Sequence, residues 1–172
     1  HSGTKYLTGH NDILAGVVVA KDASLGEQLV WLSNTTGPTL SPFDCWLFIR
    51  SLKTLSLRLD RQEANAQALA QALSQHPQIK EVLYPGRGAM MSIKIQDASK
   101  VDSFLRALKV FTFAESLGGV ESFITYPTTQ THADIPQDIR ESYGLTAHLL
   151  RVSVGIEDPQ DLIADIIQAL NA

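Results

Sequence analysis

Cysteine is almost missing from this chain: the only one is Cys45, between Asp44 and Trp46. A single thiol closes no intrachain disulfide and builds no cysteine-rich metal site, so a disulfide-stapled scaffold is excluded and a reducing cytoplasm is the expected compartment. His10, His76, His132 and His148 fall at no ligand spacing with a cysteine or a paired carboxylate, and no metal is expected. There is no apolar run near the roughly 18 residues of a membrane span. Positive charge is not in surplus either. Fourteen basic residues against 18 acidic ones, scattered and with a net charge of -4, give no electrostatic footprint for nucleic acid or anionic lipid. Small molecules and other subunits are the partners this leaves. The opening residues lack an initiator methionine and the charged and apolar regions of a signal peptide, so a cut inside a longer protein is the expectation.

What is present suffices for a folded protein. At 172 residues, 44% hydrophobic and 19% charged, the chain can hold one ordinary domain or the tail of a large one joined to a small one. Ile13 to Lys21 is a short valine-rich run that reads as a buried strand. Asp22 to Ser33 has helical periodicity and stops at Asn34-Thr35-Thr36-Gly37-Pro38. Ser41-Pro42 is a capping serine followed by proline at the first helical position. Apolar residues then recur from Trp46 to Leu73, predicting one long helix that leaves one domain and opens another near Arg58 to Arg61.

Beyond His76-Pro77 the period changes. Ile79 to Tyr84 and Ala89 to Ile95 read as two strands about a short turn, Asp97 to Leu108 as a helix, and Val110 to Phe113 and Leu149 to Val154 as two more strands. Asp158-Pro159 opens a last helix with Leu162, Ile163, Ile166, Ile167 and Leu170 on one stripe. Two helices on one face of a mixed or antiparallel sheet predict an α/β sandwich.

Two places carry possible chemistry. Ser2-Gly3-Thr4-Lys5 sets two hydroxyls and an amine around a glycine, which suits a phosphate and an aldehyde, but taken alone the motif is weak, because this is ordinary composition for a solvated loop. Arg151 lies inside the apolar run Leu149-Leu150-Arg151-Val152, where a buried guanidinium requires a partner; the alternative is a surface salt bridge. A planar fork that makes two parallel charge-assisted bonds suits a carboxylate ligand.

Six blocks, in order, resemble one family, the Cys/Met metabolism enzymes that use pyridoxal phosphate (PLP). They are His1-Ser2-Gly3-Thr4-Lys5-Tyr6 with Gly9-His10-Asn11-Asp12; Leu40-Ser41-Pro42-Phe43-Asp44-Cys45-Trp46-Leu47 with Arg50-Ser51-Leu52-Lys53-Thr54-Leu55; Tyr84-Pro85-Gly86; Glu115-Ser116-Leu117-Gly118-Gly119-Val120-Glu121-Ser122; Gln130-Thr131-His132; and Leu150-Arg151-Val152-Ser153-Val154-Gly155-Ile156-Glu157. The resemblance implies the C-terminal part of a fold-type I PLP-dependent transferase: residues 1–60 as the end of the large PLP-binding domain and 61–172 as a small C-terminal α/β sandwich domain.

By the same resemblance Lys5 is the catalytic lysine that bonds the cofactor aldehyde and then carries the Cα proton, Ser2 and Thr4 bind the cofactor phosphate, and Arg151 grips the substrate α-carboxylate. Ser116 and Thr131 are expected at the substrate or lysine amino group, with local backbone capping as the alternative, and Glu115 beside the side-chain pocket. Glu121 and Glu157 read as structural. A short connection between Gly86 and Gly88, together with Phe123-Ile124-Thr125-Tyr126-Pro127, resembles cystathionine β-lyases of Gram-positive bacteria. The implied reaction splits L-cystathionine into homocysteine, pyruvate and ammonia, with cystathionine γ-synthase, γ-lyase or a non-catalytic assembly module as alternatives. The family's N-terminal part, with further cofactor contacts, is not represented, so this piece is expected not to catalyse alone and to need that part within a cytoplasmic homotetramer.

Overall fold

A computed structural model describes residues 1–172, which divide into two compact units, His1–Leu55 and Ser56–Ala172. No helix is long and apolar enough to cross a membrane.

The first unit begins with a tight π-type turn, Gly3–Leu7, followed by an extended segment. That segment is where the structure departs from the expectation of a buried strand over Ile13 to Lys21. Its only ladder contact is an antiparallel bridge between Ser2 and Gly16, and Val18 and Val19 are 74% and 76% exposed. The reason is that strand pairing needs a neighbour, and these residues offer a pairing edge and apolar side chains that no strand of this chain covers.

Helix α1 (Ala23–Thr36) starts where Asp22 accepts hydrogen bonds from the Ser24 and Leu25 amides at 2.8 and 3.4 Å. It ends where Gly37, with φ 81°, takes the left-handed conformation that glycine adopts without a Cβ penalty. Helix α2 (Pro42–Leu52) opens on Ser41, whose hydroxyl accepts from the Asp44 amide at 3.1 Å. The long helix is two helices. At Lys53 and Thr54 the amides bond three residues back, to Arg50 and Ser51, and the Thr54 hydroxyl also donates to the Ser51 carbonyl at 3.1 Å. These bonds replace the next helical ones and stop the run.

Helix α3 (Leu55–Leu73) leads into the second unit, whose sheet contains β1 (Ile79–Leu83), β2 (Met90–Ile95), β3 (Thr112–Phe113), β4 (Phe123–Thr125) and β5 (Leu149–Ser153). Their spatial order is β1-β2-β5-β4-β3, antiparallel throughout except for the parallel pair β3 and β4. Helices α4 (Val101–Ala107) and α6 (Pro159–Leu170) complete the layer, and α5 (Gln137–Ser142) interrupts the connection before β5. This is the expected α/β sandwich with one more strand, β4, and one more short helix than the pattern indicated.

One face of the sheet carries the core. Met91, Ile93 and Ile95 of β2, Leu150 and Val152 of β5 and Ile124 of β4 meet Leu69 and Leu73 of α3, Phe104 of α4, and Leu162 and Ile166 of α6. Each such large side chain contributes about 1.5–3 kcal/mol by leaving water. Because neighbours along a strand point to opposite faces, Arg151 and Thr125 lie on the other face of the sheet.

Candidate functional site

Within the first unit, the turn that carries Lys5 is held from both sides. The Gly3 and Thr4 amides donate to the Ala15 carbonyl at 2.7 and 3.2 Å, and the Val17 amide donates to the His1 carbonyl at 2.9 Å. The buried Thr8 hydroxyl, which no sequence pattern singles out, donates to the Gly3 carbonyl at 2.8 Å. Gly3 has no alternative: a Cβ there would lie 2.5 Å from the Phe48 ring and 2.8 Å from the Ala15 Cβ. Lys5 breaks the helical progression with φ -96° and ψ -123°. Its side chain is half-buried.

This arrangement can be compared with what PLP demands, namely an amine for its aldehyde and donors for its phosphate. Lys5 provides the amine, and no ion pair with an acid of this chain occupies it. Ser2 is exposed. The bonds flanking its bridge to Gly16 make that pair the non-hydrogen-bonded kind, so the backbone N–H of Ser2 points away from the Ala15–Val17 segment. Thr4 differs. Its hydroxyl accepts from the Ala15 amide at 3.0 Å and donates to the Ala15 carbonyl at 3.3 Å. Its proton therefore secures the turn, while Ser2 keeps a hydroxyl and an amide that suit a phosphate. The donor set fits the group.

In the second unit Arg151 is half-buried in the middle of β5, in register with Ser92 on one side and Thr125 on the other. Its Nη2 donates to the Thr125 hydroxyl at 3.0 Å. That hydroxyl in turn donates to the Ala114 carbonyl at 2.8 Å, one residue ahead of Glu115. Glu115 is exposed and Ser116 half-buried, both in the loop between β3 and β4. Thr131 is exposed on the following loop, where its hydroxyl pairs with His132 Nδ1 at 2.7 Å. Arg140 holds that loop through Nη1, which donates to the Thr128 carbonyl at 2.7 Å and to the His132 carbonyl at 3.3 Å.

The Glu115–Ser122 loop is fastened by a polar network that the sequence left largely unmarked. Gly118, with φ 78°, turns its amide onto the Ser153 hydroxyl at 2.8 Å. From α3, buried Gln62 donates to the Gly119 carbonyl at 2.7 Å and buried Asn65 donates to the Gly155 and Glu157 carbonyls at 3.0 and 2.8 Å. Glu157 accepts from the Ser122 amide at 2.6 Å and from its hydroxyl at 2.8 Å, and that hydroxyl accepts from the Gly155 amide at 2.8 Å. Glu157 is thus structural, as expected. Gly155 is required for closeness: a Cβ would collide with the Val120 carbonyl and the Glu157 carboxylate. Polar residues on the buried stripe of a helix, as Gln62 and Asn65 are, were the available signal.

Burial lowers the pKa of the Arg58 guanidinium. Burial and then the charge of Glu63 raise that of the Tyr84 phenol, whose hydroxyl donates to the Gly88 carbonyl at 2.8 Å. No group of acidic, histidine or cysteine side chains could hold a metal ion.

The chain resembles known proteins over almost its whole length. The cystathionine gamma-synthase/O-acetylhomoserine (thiol)-lyase of Bacillus subtilis is 57% identical over 170 residues, which make up 99% of this chain and 46% of that protein. The cystathionine beta-lyase of Lactococcus lactis is 41% identical over 186 positions, covering 99% of this chain and 49% of that protein. A crystal structure of cystathionine gamma synthase from Xanthomonas oryzae pv. oryzae, in complex with aminoacrylate and cysteine, superposes with a TM-score of 0.94 at 42% identity, over 99% of this chain and 49% of that one. This chain therefore spans about half the length of the relatives it matches, and it corresponds to their C-terminal portion. The family model for the Cys/Met metabolism PLP-dependent enzymes matches residues 1–171, and the chain belongs to that family.

Proposed function

We propose that this chain is the C-terminal portion of a PLP-dependent trans-sulfuration enzyme, and that the whole protein is a cystathionine γ-synthase. The observation that carries the choice is the similarity to the synthase of Bacillus subtilis, 57% identical without added length. The β-lyase of Lactococcus lactis aligns over 186 positions, more than the 172 residues of this chain, so it carries residues that this chain lacks. Cleavage of L-cystathionine stays as a second reading because the lyase is still 41% identical.

In this reading residues 1–60 end the large cofactor-binding domain and 61–172 form the small domain. Lys5 binds PLP through its amine, and the Ser2 hydroxyl and amide take the phosphate, with Thr4 pinning the turn beneath them. Bound PLP supplies an electron sink for the substrate carbon that loses its proton. Lys5 Nζ carries that proton at Cα. Arg151 orients the substrate by its α-carboxylate, and so fixes which bond lies in line to break. Ser116 and Thr131 contact the amino group, and Glu115 borders the side-chain pocket. The protein works in the cytoplasm as a homotetramer.

The test uses the full-length protein with PLP. Borohydride reduction followed by peptide mapping is expected to label Lys5. Cystathionine formation from O-acetylhomoserine and cysteine is expected to exceed pyruvate release from L-cystathionine. The opposite order of rates establishes the lyase reading, and a label on other lysines removes Lys5 from its role.

A further inference from the structure

Thr125 is a β4 residue only 1% exposed, directly opposite Arg151 in the antiparallel pair. Its hydroxyl has one proton, and that proton goes to the Ala114 carbonyl at 2.8 Å. Only its lone pairs remain for the guanidinium, which donates to it from Nη2 at 3.0 Å. The direction of the relay is therefore fixed: Arg151 to Thr125 to Ala114. We propose that Thr125 is the positioning residue that aims Arg151 at the α-carboxylate of the substrate, an inference that rests on the reading of Arg151 as the carboxylate ligand.

Three observations support it. An arginine side chain has several rotatable bonds, and a fork that must meet a carboxylate with two parallel bonds tolerates little rotation. The Thr125 side chain is stiff at χ1 because it is β-branched, and it is immobilised further by burial and by its bond to Ala114. Ala114 is itself fixed, its amide donating to the Ile124 carbonyl at 3.0 Å. One hydroxyl thus ties the aim of Arg151 to the backbone that leads directly into Glu115 and Ser116. Thr125 acts through Arg151 and touches no reacting atom.

The alternative is that Thr125 merely satisfies the Ala114 carbonyl. Both ideas predict some loss of stability on substitution, so stability does not separate them. Discrimination for the carboxylate does. The experiment uses the full-length PLP-loaded protein and its variants Thr125→Val, Thr125→Ser and Arg151→Lys. The probes are L-methionine and its carboxylate-free counterpart 3-(methylthio)propylamine, and their binding is followed by the change in cofactor absorbance. Steady-state KM and kcat are measured alongside.

Thr125→Val keeps shape and branching but accepts no hydrogen bond. Loss of a hydrogen bond to a charged group is expected to weaken L-methionine binding and raise KM by about 10-fold or more. Binding of the amine stays within about threefold, and Thr125→Ser, which keeps the hydroxyl, stays near the parent in every readout. If Thr125→Val is recovered without PLP, Thr125→Ala is read by the same criterion. The proposal is overturned if the valine variant weakens both probes equally, or neither, while Arg151→Lys still loses its preference for L-methionine over the amine. If Arg151→Lys also leaves that preference intact, the arginine is not the carboxylate ligand, and this failure of the underlying reading takes the Thr125 role with it.

Discussion

Replacing Ser122 with alanine removes one oxygen from the centre of the network that fixes the Glu115–Ser122 loop. Ser122 is fully buried. Its hydroxyl donates to the Glu157 carboxylate at 2.8 Å and accepts from the Gly155 amide at 2.8 Å. The first bond involves a charged group, worth about 1.5–3 kcal/mol, and the second is a neutral bond of about 0.5–1.5 kcal/mol. The Ser122 amide keeps its bond to Glu157 at 2.6 Å, so the carboxylate is not orphaned. The Gly155 amide is, in a residue that is itself buried. Local opening should therefore become easier by about 2–4 kcal/mol, which is roughly 30-fold to 1000-fold in the opening equilibrium. Amide hydrogen exchange read by mass spectrometry on the full-length protein measures this. Peptides covering Gly118 to Ser122 and Gly155 to Ile156 should lose protection by that factor, while those over β2 should not. Protection unchanged within about threefold in a folded variant would refute the claim that Ser122 holds the loop.

Gly3→Ala places a methyl against the Phe48 ring and Ala15, and the full-length variant is expected to lose its PLP absorbance while retaining the far-ultraviolet signature of the second unit. Asp165→Ala strips acceptors from the Lys109, Val110 and Phe111 amides, which its carboxylate holds at 2.8 to 2.9 Å. About 3–5 kcal/mol of destabilisation should follow, measured as exchange at those three amides. For Tyr84 the folded pKa is raised above the usual 10.0, so the neutral phenol is the form that the fold favours. Its contribution to stability is fully present below that usual value and declines as pH rises through the folded one, so unfolding monitored from pH 9 upward should show a fall that Tyr84→Phe lacks. Residues 1–172 expressed alone should bind an apolar dye strongly at the first unit, where Leu14, Val18, Val19, Val30 and Trp31 are exposed, and Val18→Lys with Val19→Lys should reduce the signal.

What the sequence disclosed follows from how local the determining physics is. The caps of α1 and α2 are read within four residues, at Asp22, Gly37 and Ser41-Pro42, because a cap is a bond between near neighbours. The stripe of α6 is legible because one buried face repeats with the helix. Strand β4 was missed because three residues, Phe123, Ile124 and Thr125, are all buried and show no alternation. The break at Lys53 and Thr54 was missed because Leu52 and Leu55 continue the apolar pattern straight through it, while the Thr54 hydroxyl decides the backbone. Ile13 to Lys21 misled in the other direction. Its residues have the composition of a buried strand, but burial needs a pairing neighbour, and no strand of this chain lies beside them.

The candidate site divides on the same principle. Arg151 stands out by residue type inside an apolar run, and Lys5 and Ser2 stand out through the family resemblance of the block that holds them, since an amine and a hydroxyl beside a glycine are ordinary loop composition. The residues that hold them in place do not. Thr125 and Ser122 have the composition of any strand or loop, and their importance arises only from what stands across the sheet or at the next turn of chain, 26 and 35 residues away. Gln62 and Asn65 lie 57 and 90 residues from the backbone carbonyls they anchor. A hydroxyl that both donates and accepts transmits position between two such partners, because moving either breaks a bond that burial leaves without water to replace it. That is why losing the hydroxyl at Thr125 or Ser122 is expected to alter binding or loop opening by a factor of ten or more, whereas the same loss at exposed Thr129, whose hydroxyl meets the Tyr126 carbonyl at 3.3 Å, should be nearly silent.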